Sequence, residues 1–293
     1  MSASTRALAH TAMVESIEVR DEWDREHDGP LDVYALCKDM GVKVRFVDIA
    51  SMEGLYGRGR DGKAVIWLSS LRPMPRRNFS CAHELGHHVF CHGSTVDELV
   101  ECVGTATKVF KPEEFLADTF AGFLLMPTLG VRKAFASRGW KAGTATPVQV
   151  YTVACHFGVG YDTLISHLLH SLEAIDPIRA AQLRKVGPKD IRHQVLGTPT
   201  PEPLVIADQH WGAPTVDMEV GTLLLLPEGS VVEGNVIAFQ AEHPSGRLFR
   251  AVRPGVARVT CPGPEWAVFA RVSRYQFVGF AEYRHFDQEE DDE

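Results

Sequence analysis

Phe79-Ser80-Cys81-Ala82-His83-Glu84-Leu85-Gly86-His87-His88-Val89-Phe90 is the stretch whose reading decides the fold. His83 and His87 stand four residues apart, with Glu84 directly after the first. On an α-helix that spacing turns through about 400° and returns both imidazoles to one face, about 6 Å apart along the axis. Two imidazoles so placed can grip one zinc ion. Glu84, rotated off their line, can reach a water beside the metal and not the metal itself. Leu85, Val89 and Phe90 supply an apolar stripe, no Pro falls between Asn78 and His92, and Pro75 suits a first turn. A helix is therefore expected here; the plainer alternative is a surface helix that carries two histidines without a metal.

A catalytic zinc usually keeps three protein donors and one open position. The best source of a third is the segment from Lys111 to Pro127, which reads as a core helix begun by Pro112 and ended by Pro127, with Phe115, Phe120, Phe123 and Leu124 facing inward. Glu114 and Asp118 are i and i+4, so their carboxylates share a face. One can bind the metal while the other accepts a hydrogen bond from the free ring N–H of a ligating histidine. The plainer alternative is that Glu113, Glu114 and Asp118 form a solvated face.

Two runs carry a resemblance: Arg76-Arg77-Asn78-Phe79-Ser80-Cys81-Ala82-His83-Glu84-Leu85-Gly86-His87-His88, and Glu114-Phe115-Leu116-Ala117-Asp118-Thr119-Phe120 continuing to Pro127. Together with Glu53-Gly54-Leu55-Tyr56-Gly57 and Ala64-Val65-Ile66-Trp67-Leu68 they resemble the ImmA/IrrE family of metallo-endopeptidases, over residues 30 to 130. The resemblance implies a zincin-like domain with Zn2+ held by His83, His87 and Glu114, the Glu three residues before the small Ala117. Asp118 stands where that family usually has Asn, and Glu113 is the fallback ligand. The resemblance also implies a narrow substrate, a helix-turn-helix repressor whose cleavage switches genes on. Tyr56 is a candidate donor to the oxyanion, with a core tyrosine as the plainer reading.

The formal charge is −8, but six acids crowd the last seven residues, which leaves the body near about −2. That is no electrostatic footprint for nucleic acid. The six cysteines (Cys37, Cys81, Cys91, Cys102, Cys155, Cys261) form no C-x-x-C pair. The opening residues are polar and charged, and no apolar run reaches membrane-spanning length, so a reducing cytoplasm with free thiols and no membrane partner is expected. Cys81 is a candidate sensitive thiol, with buried packing as its ordinary role.

The expected architecture is α+β. Residues 1–28 read as a flexible leader with at most a short helix, and 29–130 as the metallopeptidase domain. Residues 131–196 read as a helical, helix-turn-helix-like subdomain, 197–203 as a linker, 204–285 as a β-rich sensing or docking domain, and 286–293 as an acidic tail. In the first domain a helix over Leu31–Met40 precedes strands at Val42–Val47, Leu55–Gly59 and Lys63–Ser69, the last two joined by an Asp61-Gly62 turn. If the Lys63–Ser69 strand lies at a sheet edge, it can pair with an extended peptide; if fully paired, it cannot.

Helices are expected at Val131–Arg138, Pro147–Phe157, Tyr161–Leu172 and Ile178–Lys185, the middle pair resembling helix-turn-helix around Gly158 and Gly160. His156, His167 and His170 there read as structural. Seven short strands from Leu204 to Tyr283, the last of them Phe277–Tyr283, with turns such as Pro262-Gly263-Pro264, suggest a small barrel or sandwich. That block faintly resembles the peptidase domain of LexA-type repressors, but Asp217-Met218 stands at the nucleophile's place and Arg250 near that of the lysine, so no chemistry is expected of it. His210-Trp211 reads as packing.

The best reading is thus a zinc endopeptidase acting on a protein. Two rivals stand beside it: a metal-stabilised module that titrates a repressor without cutting it, and a DNA-binding regulator using residues 147–172. Direct DNA binding is disfavoured by the body charge, and the first rival by Glu84, which a purely structural metal does not need.

Overall fold

The computed structural model describes residues 3–58, 62–92, 95–98, 110–261 and 266–287. The Asp61-Gly62 turn at its first residue, Cys102, the Pro262-Gly263-Pro264 turn and the tail beyond Asp287 lie outside the described residues. The chain divides into two compact units, residues 1–128 with 276–282, and residues 129–275 with 283–293.

The first unit holds helices α1 (Ala3–Glu22), α2 (Val33–Asp39), α3 (Met74–Val89) and α4 (Pro112–Leu125), and strands β1 (Lys43–Val47), β2 (Met52–Arg58), β3 (Ala64–Ser69) and β4 (Thr95–Glu98). Its sheet runs β13-β1-β3-β2-β4, where β13 is Gly279–Phe280. β1 and β3 are parallel, and β2 is antiparallel to both β3 and β4. Of the two alternatives for residues 63–69, the structure has the fully paired strand and not the edge strand. β3 is paired to β1 on one side and to β2 on the other. Its Ala64-Val65-Ile66-Trp67-Leu68 run is buried at every position but Trp67, the pattern of a strand covered on both faces.

Two expectations are corrected. Residues 1–28 are not a flexible leader: α1 spans twenty residues, with Ala12, Ser16, Val19 and Arg20 buried. Its inner face is built of small and polar side chains, so hydrophobic periodicity gave no signal. Arg20, 1% exposed, is the anchor. Its Nε and Nη2 donate to the Leu124 carbonyl at 3.0 and 2.6 Å, and Nη2 donates to Gly29 at 3.1 Å. A cation therefore sits at the negative end of α4. Burial pushes its pKa down to about 10, which leaves it charged at neutral pH. Arg20→Ala strips several buried carbonyls of their donor. It is expected to cost about 2–3 kcal/mol, read as a lowered urea midpoint of the full chain.

The second correction concerns Phe277–Tyr283, expected as a strand of the β-rich block. Only Gly279 and Phe280 are extended, and they pair antiparallel with β1, while Ala281–Tyr283 form a 3₁₀ turn. Phe277 meets Phe46 edge-on at 6.3 Å, and Phe280 lies beneath the Lys43 and Arg45 cations. Ring contacts with β1 thus draw this segment into the first unit's sheet.

The second unit contains α5 (Thr128–Ala136), α6 (Pro147–His156), α7 (Tyr161–His170), α8 (Pro177–Arg184) and α9 (Pro188–Leu196). Its strands are β5 (Leu204–Ile206), β6 (Thr215–Glu219), β7 (Leu223–Leu226), β8 (Val231–Glu233), β9 (Ile237–His243), β10 (Gly246–Ala251), β11 (Gly255–Cys261) and β12 (Trp266–Ser273). They form two four-stranded sheets, β5-β7-β10-β9 and β6-β12-β11-β8. α6 starts at a capping box in which Thr146 and Gln149 exchange side-chain and backbone bonds. The 197–203 segment lies inside this unit. Tyr151 donates to the Leu204 carbonyl at 2.6 Å, and Tyr151, Val195 and Leu196 pack on Leu204, Ile206, Leu223 and Leu225. Helices and sheets here cover one another's apolar faces. Asp217 is held by Arg271 through two 2.6 Å bonds, and Arg250 pairs with Glu202 at 3.0 Å, so each of these two side chains has a counter-ion of its own.

His156 is wedged edge-on between Phe157 and Trp211 and is 7% exposed. Burial pushes its pKa down to about 4. An unfolded chain takes up a proton here near pH 6.5 and the native chain does not, so stability falls as pH drops from about 6.5 toward 4. A loss on the order of 3 kcal/mol across that window is expected from this residue. His156→Phe should flatten that part of the profile in urea titrations at several pH values. Among the described residues, no single helix is long and apolar enough to cross a membrane.

Candidate metal centre

α3 is buried on all sides from Cys81 to His87. Cys81, Ala82, His83, Glu84, Leu85, Gly86 and His87 are all inaccessible or nearly so, while Val89 and Phe90 are only half-buried. Pro73 and Pro75 set its start, where a missing N–H costs nothing. On its first unit's sheet side stands β2, and on the other α4.

Gly86 sets the distance to α4. A Cβ built there would meet the Ala117 Cα and a Phe120 ring carbon at 3.1 Å, tighter than an ordinary contact, so a side chain here would press the two helices apart by a few tenths of an ångström. Ala117 lies between Glu114 and Asp118, and its approach brings both acids to the histidines. His83 Nε2 and His87 Nε2 are 3.0 Å apart, and Glu114 Oε2 lies 3.5 Å from the first and 3.8 Å from the second. Donors of a tetrahedral zinc at about 2.0–2.1 Å are separated from one another by about 3.3–3.4 Å. The three atoms therefore fit one small cation, and among the described residues these three side chains form the group able to hold one. Hydrogen bonding to His83, then the nearby imidazoles, hold the Glu114 carboxyl below the usual range.

Asp118 Oδ1 is 2.8 Å from His83 Nδ1. A carboxylate only accepts, so the imidazole donates and its Nε2 keeps a lone pair facing the group. Glu113 is exposed and is not part of the group. Tyr56 is 6% exposed, and its hydroxyl shares a 2.9 Å hydrogen bond with His88 Nδ1. Burial, aided by Arg58, pushes the His88 pKa down.

Glu84 is fully buried and lies against Gly54 of β2. A Cβ on Gly54 would stand 2.7 Å from Glu84 Oε1 and 3.2 Å from its Cδ. Gly54 is thus the vacancy into which the carboxylate fits, a role that sequence reading did not assign to it. His92 was also missed: its Nδ1 lies 3.0 Å from His87 Nδ1. Its one visible signal was a fourth histidine just past the end of the helix. Cys81 sits 3.7 Å from Cys37, sulfur to sulfur, both fully buried. Burial and then the Cys37 thiol push its pKa up, so it is a protonated packing residue and no sensitive thiol.

Two imidazoles one helical turn apart, a carboxylate from a neighbouring helix and an acid beside the first imidazole are the metal-site pattern of metallopeptidases. Residues 37–168 match the family model described as the IrrE N-terminal-like domain, Peptidase_M78, and this part of the chain is such a domain of the M78 peptidase family. A search of curated proteins gave no match. Among solved structures, a Mycobacterium tuberculosis transcriptional regulator is similar at 18% identity with a TM-score of 0.36, over 54% of this chain. The chain spans 46% of that protein's length.

Proposed function

We propose that this chain is a zinc-dependent endopeptidase that cuts a helix-turn-helix transcriptional repressor and so derepresses genes. The observation that carries the reading is the convergence of His83, His87 and Glu114 within 4.8 Å, with Glu84 buried beside the first histidine. Two nitrogens and one oxygen as donors favour zinc over harder cations. Bound there, zinc supplies Lewis-acid chemistry for a carbonyl oxygen and makes a water more acidic. His83 and His87 present neutral Nε2 atoms, and Asp118 holds the His83 ring by its Nδ1–H. Glu84 takes a proton from the attacking water as the C–O bond forms, then delivers it to the amine nitrogen as the C–N bond breaks. Tyr56 would serve as oxyanion donor by exchanging His88 for the substrate oxygen.

The partner is a protein in the cytoplasm, with the β-rich second unit serving recognition or sensing. Direct DNA contact has little support. The body charge is about −2, and the exposed Asp162 and half-buried Ser166 of α7 are engaged by Arg184 at 2.7 Å each.

The test is to incubate the purified, zinc-loaded protein with the helix-turn-helix regulator encoded beside it. One discrete fragment pair, abolished by a chelator, is the expected result. Zinc bound at one site with the regulator intact would instead favour a module that titrates its partner without cutting it.

A further inference from the structure

α3 ends in a way that throws a side chain back onto the metal group. Cys91 follows the helix with φ +56, the left-handed region that residues with a side chain enter only under strain. The reversal it permits is a Schellman cap. The Cys91 N–H donates to the His88 carbonyl at 3.2 Å, and the His92 N–H to the His87 carbonyl at 3.0 Å. In that motif the residue two beyond the cap folds over the one at the start of the last turn. Here an imidazole lands on an imidazole. The His92 ring stacks on Phe90 at 5.6 Å with 20° between planes, and Phe90 is itself braced edge-on by Phe120 of α4.

We propose that His92 is the positioning residue for His87, holding its ring and tautomer as Asp118 does for His83. The proposal rests on the metal reading of His83, His87 and Glu114. Only one proton fits between two nitrogens 3.0 Å apart. For His87 Nε2 to offer a lone pair to a cation, its Nδ1 must carry the hydrogen, so His92 Nδ1 accepts and the His92 proton sits on Nε2. The two ligating histidines are therefore supported unequally. One donates to an anion, the other to a neutral ring whose place is set by a strained helix cap.

The experiment compares His92→Phe, His92→Asn and wild type. Phenylalanine keeps the stacked ring and removes the acceptor, whereas asparagine restores an acceptor oxygen close to where Nδ1 stood. Zinc dissociation constants come from competition with a chromophoric chelator, and side-chain ¹⁵N NMR reads the His87 tautomer in metal-free protein. His92→Phe should weaken zinc binding about 10–100-fold and mix the His87 tautomers, with His92→Asn within about threefold of wild type. Wild-type affinity and an unaltered tautomer in His92→Phe would overturn the proposal alone. So would equal losses in both variants, which would mark a packing role. A wild-type protein that binds no zinc would overturn the metal reading and this proposal with it.

Discussion

Glu84→Gln should lower the rate of substrate cleavage by about 10²–10⁴-fold, the usual worth of a positioned general base, while the zinc content is unchanged. The substitution preserves shape, which matters because the side chain is fully buried and fills the space left by Gly54. It removes the negative charge and the ability to take a proton from water. Zinc affinity should hold, since Glu84 is not one of the three converging donors. Initial rates of fragment appearance, paired with metal analysis of the same samples, check the result. A variant that keeps zinc and cuts at the wild-type rate would remove Glu84 from the chemistry.

The second large effect is expected at Glu114. Glu114→Ala should weaken zinc binding by more than about 100-fold, because loss of a direct donor costs at least as much as loss of a residue that merely orients one. Asp118 is not free to replace it, being bound to His83 Nδ1 at 2.8 Å. The exposed Glu113 is the internal control. Glu113→Ala should leave affinity within about twofold, as expected of a solvated surface charge. Chelator competition on both variants separates the two acids. Equal losses, or a larger loss at Glu113, would reassign the third donor.

Much of this centre was legible because its geometry is local. The four-residue spacing of His83 and His87 needs only a helix, and so does the shared face of Glu114 and Asp118. Which acid meets which histidine atom was not legible from spacing. It depends on how closely α4 approaches α3, and that is set by Gly86 against Ala117. α1 escaped notice for a different reason. Its buried residues are one alanine, one serine, one valine and one arginine, and an arginine registers as surface until its carbonyl partners are known.

The sequence by itself determined the donor types, the helices that carry them and the acid beside the first histidine, since all of these follow from chemistry within a turn or two of helix. Only the tertiary structure decided that β3 is paired on both sides, that Gly279 and Phe280 complete the first sheet, that Gly54 makes room for Glu84, and that His92 turns back on His87. The physical reason is that β pairing and close packing join residues far apart in the chain, and periodicity carries no record of the distance between two surfaces.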